Sequence, residues 1–150
     1  MLRAVELSRL ALNQQEGGPF GCVIVKDGEI IGEGGNRVTM NNDPTAHAEI
    51  VAIRNACQKL GDFQLTDCQV YTSCEPCPMC LGAIYWARPE IVYYANTKSD
   101  AANVDFDDDF IYREILIEPK NRSIPMLHHP EKDAANVFSE WIKKPDRINY

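Results

Sequence analysis

The spacing of apolar side chains changes several times along the first thirty residues, and each change marks a predicted element. Apolar positions from Leu2 to Gln15 fall on one helical face, which predicts an amphipathic helix. Gly17-Gly18-Pro19 ends that pattern. A short apolar run follows at 22–25, then Asp27-Gly28, a dipeptide typical of a two-residue hairpin turn. The first helix should therefore lead into a β-hairpin.

The remainder of the chain alternates helical and strand patterns. Helices are predicted over 46–60, 79–87, 110–116 and 134–143, and strands over 69–72, 91–94 and 123–127. A hairpin followed by such alternating units indicates a mostly parallel sheet covered by helices on both faces. The sequence contains no repeat, low-complexity tract or linker, so we predict one α/β domain over residues 1–150.

Composition agrees with an ordinary globular domain. The chain has 150 residues, 45% hydrophobic and 25% charged, which is enough to build one core. No apolar run reaches the roughly 20 residues of a membrane helix. Charged side chains interrupt the N-terminus where a signal peptide would be continuously apolar. We therefore expect a cytoplasmic protein with no membrane partner.

The charge balance bears on possible partners. The formal net charge is −7, whereas nucleic-acid binding depends on neutralising phosphates with Lys and Arg. This argues against an extended nucleic-acid interface. Acidic residues are concentrated between Asp100 and Glu118, and we interpret most of them as a solvated face.

Two short motifs carry the candidate chemistry. Residues 45–49 contain H-x-E, formed by His47 and Glu49, and residues 75–80 contain P-C-x-x-C. Either motif alone is weak evidence, because each occurs by chance or in other contexts. In this order, about 30 residues apart and each at the start of a predicted helix, they form the signature of zinc deaminases.

The spacing suits a catalytic zinc site. Cys77 and Cys80 lie on one helical face at a helix N-terminus, where the dipole favours thiolates. With His47 they give three protein ligands, which leaves the fourth tetrahedral position to water. We predict one Zn²⁺ per chain, with Glu49 as the catalytic proton carrier. On an ideal helix His47 and Glu49 would point apart, so the reach of Glu49 must come from its place in the first turn.

Cys74 is a rival ligand, because it extends the second motif to C-x-x-C-x-x-C. An iron–sulfur cluster would need a fourth cysteine soon afterwards, and Leu81-Gly82-Ala83 supplies none. We expect Cys74 to be structural. Cys22, Cys57 and Cys68 lie in apolar stretches and are interpreted as small buried side chains.

These motifs and their flanks resemble the cytidine/deoxycytidylate deaminase superfamily and, within it, the bacterial guanine deaminases. The resembling stretches are 18–21, 23–28, 42–49, 71–88, 100–102 and 106–112, and the resemblance thins between 119 and 148. It implies a three-layer α/β/α sandwich around a five-stranded mixed sheet. It also implies a homodimer in which the C-terminal segment, ending at Tyr150, is swapped and closes the partner's active site.

The resemblance further implies a set of substrate-binding residues. Asn36 matches a base-binding asparagine, and Asp108 matches an acidic residue near the substrate that would serve as a second catalytic proton relay. Phe20 and Trp86 match aromatic positions that line the pocket. The full set implied in this way is Phe20, Asn36, Ala48, Trp86, Asp108 and Tyr150.

The implied reaction is hydrolytic deamination of guanine to xanthine and ammonia, a step of purine catabolism or salvage. Three alternatives stay open at this point. One is a tRNA adenosine deaminase, which shares the zinc motif. Another is a deaminase of cytosine or cytidine. The last is a non-catalytic zinc protein, against which the unligated Glu49 argues because a structural zinc site has no use for it.

Overall fold

The predicted β-hairpin is present and belongs to a sheet of four strands. The strands are β1 (Gly21–Lys26), β2 (Glu29–Gly35), β3 (Cys68–Cys74) and β4 (Ile91–Asn96). Their order is β2-β1-β3-β4, with β1 antiparallel to both neighbours and β3 parallel to β4. At the hairpin turn Asp27 and Gly28 have φ values of 51° and 80°, as expected for a type I′ turn.

The computed structural model describes residues 1–149 and divides the chain into two compact units, Met1–Asp109 and Phe110–Tyr150. Tyr150 therefore lies outside the described residues. One domain over the whole chain stays a prediction. The helices are α1 (Leu2–Asn13), α2 (Val38–Asn41), α3 (Ala48–Leu60), α4 (Pro78–Ala87), α5 (Lys98–Ala102), α6 (Asp109–Leu116) and α7 (Lys132–Lys143), with a 3₁₀ turn at Pro119–Asn121.

Successive side chains of β1 point to opposite faces of the sheet, and helices cover both faces, so the first unit has three layers. Cys22 and Ile24 belong to the core cluster that includes α3, whereas Val23 packs with α1 on the opposite face. α3 lies very close to β2, because a Cβ at Gly32 would be 2.6 Å from the carbonyl oxygen of Ala52. The predicted α/β/α architecture is confirmed.

The expectation of a fifth strand is wrong for the described residues. The segment 123–127 has no regular secondary structure, and Ile124 and Leu127 are exposed. Pro125 in its middle lacks the N–H that a ladder needs. Apolar composition alone was a weak guide to a strand, because pairing requires a neighbouring strand edge.

The second unit differs in burial. No residue between 110 and 149 is buried, although α6 and α7 were both correctly predicted as helical. Two short helices, α2 and α5, were not predicted because they span only four and five residues. None of the helices in residues 1–149 is long and apolar enough to cross a bilayer.

Candidate metal centre and active site

His47, Cys77 and Cys80 come together as predicted. The Nδ1 atom of His47 lies 3.5 Å from the Sγ atom of each cysteine, and all three donor atoms lie within 4.8 Å of one another. Tetrahedral zinc with ordinary Zn–N and Zn–S bond lengths would place nitrogen and sulfur about 3.6 Å apart. The donor set and its spacing therefore fit a zinc ion.

Two helix N-termini hold these ligands. His47 is the N-cap of α3 and Cys77 the N-cap of α4, and both have extended backbone conformations. Pro78 occupies the first position of α4, where no backbone donor is lost. Cys80 follows in the first turn and is fully buried. The positive ends of both helix dipoles thus face the ligands and stabilise negative charge there.

The pKa values of the two cysteine thiols are shifted in opposite directions. A hydrogen bond from Cys80 lowers the pKa of the Cys77 thiol, and the same interaction, together with burial, raises the pKa of Cys80. The hydrogen bond with Cys77 raises the pKa of His47. Metal binding would require both thiols to be deprotonated, because zinc binds cysteine as the thiolate.

Glu49 faces this group of ligands from the first turn of α3. Its Oε2 atom lies 3.3 Å from the Cys80 sulfur, and its Oε1 atom accepts a hydrogen bond from Thr72 Oγ1 at 3.0 Å. The side chain is only 6% exposed, and burial raises its pKa. Because His47 precedes the helix with extended backbone, the ideal-helix separation of the two side chains does not apply.

Asp108 is electrostatically coupled to the metal ligands. Burial raises the pKa of its carboxyl group, and the charge on Cys77 raises it further. In turn, the charge of Asp108 contributes to the raised pKa of His47. This supports its predicted place near the site, while its role as a proton relay stays a prediction.

Asn36 is buried and its amide oxygen is fully engaged. Oδ1 accepts hydrogen bonds from the backbone N–H groups of Gly18 at 3.3 Å and Val38 at 3.1 Å. A Cβ at Gly17 would collide with that oxygen, which explains why a glycine stands at position 17. With the oxygen fixed by backbone donors, the amide NH₂ is the end that can donate to a ligand.

The remaining predicted contacts differ in their surroundings. Phe20 is half-buried and packs edge-on against Phe106, with ring centroids 4.9 Å apart. Ala48 is buried at the start of α3, next to His47. Trp86 lies on α4 with 65% of its surface exposed, and its place in the pocket stays a prediction.

Cys74 lies outside the group of metal ligands, as expected. Its thiol donates to the carbonyl oxygen of Thr97 at 3.6 Å, and burial raises its pKa to about 11. Thr72 was missed by the sequence analysis. A polar residue at a core-facing position of β3, alternating with Val70 and Cys74, was the signal that could have found it.

Comparisons with known proteins agree with this geometry. The model of the cytidine and deoxycytidylate deaminase zinc-binding region matches residues 1–96. The guanine deaminase of Bacillus subtilis (strain 168) is 58% identical, covering 99% of this chain and 95% of that protein. The tRNA-specific adenosine deaminase of Aquifex aeolicus (strain VF5) is 38% identical, covering 84% and 81%. The X-ray structure of guanine deaminase from Bacillus subtilis superposes with a TM-score of 0.96 at 54% identity, covering 99% and 95%.

Proposed function

The chain belongs to the cytidine and deoxycytidylate deaminase family, and on that premise we propose that it hydrolyses guanine to xanthine and ammonia. The observation that carries the proposal is the buried Glu49 carboxylate, which faces the zinc ligands without being one of them. Guanine as the substrate is supported by similarity over 99% of the chain to the Bacillus enzyme of that name.

His47, Cys77 and Cys80 would hold one zinc ion. When bound, the metal would lower the pKa of a bound water to roughly 7, so that a nucleophile is available near neutral pH. The positive helix ends behind Cys77 and His47 stabilise the charge that develops on the reacting atoms.

Glu49 moves the protons. Its carboxylate takes a proton from the attacking water and gives one to the ring nitrogen beside the amine-bearing carbon. It then takes the remaining proton of the attacking oxygen, which is now bonded to that carbon, and delivers it to the amine, so that the C–N bond breaks, ammonia leaves and the carbonyl group of xanthine forms. Burial favours this exchange, because it raises the pKa of the Glu49 carboxyl towards neutral pH and so makes the carboxylate easier to protonate.

The base would be held by the neighbouring predicted contacts. The Asn36 amide donates to a carbonyl or ring nitrogen, and Phe20, braced edge-on by Phe106, stacks on the ring. Asp108 accepts from an exocyclic or ring N–H group and serves as a second proton relay. Ala48 and Trp86 complete the proposed contacts.

The proposal includes a homodimer in which the C-terminal segment of one chain, with Tyr150, closes the partner's active site. Apolar side chains of α7, including Phe138 and Ile142, are exposed. Exposed apolar surface of this kind is typical of an interface between proteins. A second copy of this chain is the proposed partner.

A substrate panel tests the function. Zinc-loaded protein is incubated separately with guanine, adenine, cytosine, cytidine and transfer RNA, and ammonia release is measured against a matched Glu49→Gln protein. We expect release from guanine far above the other substrates and above the variant. Release from transfer RNA alone would instead favour the adenosine deaminases, against which the net charge of −7 argues. Release from none would favour a non-catalytic zinc protein.

A further inference from the structure

Thr72 is a hydroxyl residue in the core of the sheet. It lies in the middle of β3 and is 1% exposed. Its cross-strand neighbour on β1 is Cys22, which is fully buried. A buried hydroxyl is costly unless it is hydrogen-bonded, so its partner identifies what the residue does.

That partner is Glu49, 23 residues earlier in the chain. Thr72 Oγ1 donates to Glu49 Oε1 at 3.0 Å, in a buried hydrogen bond. The other carboxylate oxygen, Oε2, lies 3.3 Å from the sulfur of Cys80. One oxygen is therefore held by the sheet, and the other is directed towards the zinc ligands.

We infer that Thr72 is a positioning residue that holds the Glu49 carboxylate with Oε2 facing the metal centre, an inference that rests on the proposed function. A glutamate side chain has several rotatable bonds, and α3 fixes only its backbone. Its own backbone N–H and the Cys80 thiol also approach the carboxylate, and Thr72 is the donor that ties Oε1 to the sheet. A displacement of about 1 Å from the reacting geometry can cost about a hundredfold in rate.

The other groups near the carboxylate differ from this donor in strength or position. The cross-strand neighbours of Thr72 are Cys22 on β1, whose thiol is a weak donor, and Tyr94 on β4, which is 49% exposed. Cys80 approaches the other oxygen, and once it binds a metal it carries no proton to donate. Thr72 thus supplies a neutral donor that does not depend on the metal.

Three variants separate positioning from a general structural role. Thr72→Val removes the hydroxyl and keeps the shape, and Thr72→Ser restores a hydroxyl. Ser73→Ala is the matched control, since it removes the neighbouring hydroxyl, which accepts a buried hydrogen bond from the Gly21 N–H at 3.0 Å. For each protein kcat and KM with guanine, zinc content and a crystal structure are determined.

For Thr72→Val we expect kcat to fall about tenfold to a hundredfold, with KM and zinc content near wild type. Its crystal structure should show the Glu49 carboxylate rotated or in two conformations. Thr72→Ser should recover kcat to within about threefold, with Glu49 in its original position. Ser73→Ala should keep both kcat and the Glu49 conformation.

The inference is overturned if Thr72→Val keeps wild-type kcat with Glu49 unmoved, or if Ser73→Ala loses as much kcat as Thr72→Val. Failure of the proposed function looks different. A wild-type protein that is inactive on guanine would overturn that function, while the Glu49 conformation in the Thr72 variants would still decide whether Thr72 holds the carboxylate.

Discussion

The two units of this chain differ in how they accommodate their apolar side chains. In residues 1–109, both faces of the sheet are covered by helices, and the clusters around Cys22 and Ala4 are buried. In residues 110–149 no residue is buried, and Ile124, Phe138 and Ile142 are between 69% and 81% exposed. The first unit has a hydrophobic core of its own, whereas the second has apolar surface that only another surface could cover.

The two units also differ in their proposed roles, because the first contains the proposed catalytic residues and the second the proposed dimer contact. Every proposed zinc ligand and proton carrier lies in the first unit, where the positions of these side chains are set by helix starts and buried hydrogen bonds. Tyr150 is the only proposed site residue in the second. We therefore expect damage to the first unit to abolish the reaction, and damage to the second to act through association.

The largest effect is expected from removing a zinc ligand. Cys80→Ala should lose zinc and reduce activity by more than about 10⁴-fold, because both the nucleophile and the charge stabilisation depend on the metal. Metal analysis and ammonia release measure the two effects. Cys74→Ala is the matched control and should keep its zinc. Loss of zinc from the Cys74 variant would indicate that Cys74 is a zinc ligand.

Glu49→Gln is expected to have the next largest effect. The amide keeps the size of the side chain and cannot act as a base, so kcat should fall about 10²- to 10⁴-fold with zinc retained. Steady-state kinetics and metal content decide the outcome. Near-native turnover in this variant would disprove the proposed proton transfer.

A mixing experiment tests the role of the second unit. Truncation of Asn149 and Tyr150 should lower activity about tenfold if the tail closes the site. Truncated chains are then mixed with full-length Glu49→Gln chains under conditions that exchange subunits. A swapped tail predicts recovery to about a quarter of wild-type activity, because half the dimers are hybrids with one complete site.

Two results would contradict that arrangement. Unchanged activity after truncation would show that the tail is not part of the active site. A loss of activity that mixing cannot restore would place the tail in its own chain's site. Unmixed samples of each variant provide the controls.

The smallest expected effect concerns the surface of the first unit. The Arg3 guanidinium binds both carboxylate oxygens of Glu33, at 2.9 Å and 2.6 Å, and lowers the pKa of that carboxyl. A lowered folded-state pKa adds stability above the unfolded value of about 4.3, and the added stability is lost as the pH falls through the folded value.

Thermal unfolding of the wild type and Glu33→Gln measures this contribution. The difference in Tm should be no more than about 2 °C near neutral pH, because the pair is exposed to solvent, and it should shrink as the pH falls below the unfolded value of about 4.3. Loss of zinc in acid should affect the wild type and the variant equally, so it should not contribute to the difference in Tm. A Tm difference that stays constant with pH would exclude the pair as its source.

Much of the first unit was predictable because its signals are local. Asp27-Gly28 specified the hairpin turn through backbone conformation, and α3, α4 and β1 were found close to their observed bounds. The strand predicted at 123–127 failed for the opposite reason. Whether an apolar segment pairs depends on a neighbouring strand edge, which no local pattern describes.

By itself, the sequence indicated the proposed zinc ligands and the class of reaction. His47, Cys77 and Cys80 lie in short motifs at helix starts, so local spacing is enough to identify them. Only the tertiary structure decided how Glu49 is oriented. Its carboxylate is held by Thr72, 23 residues away on the sheet, and a contact between distant segments exists only once α3 has packed on β1 and β2.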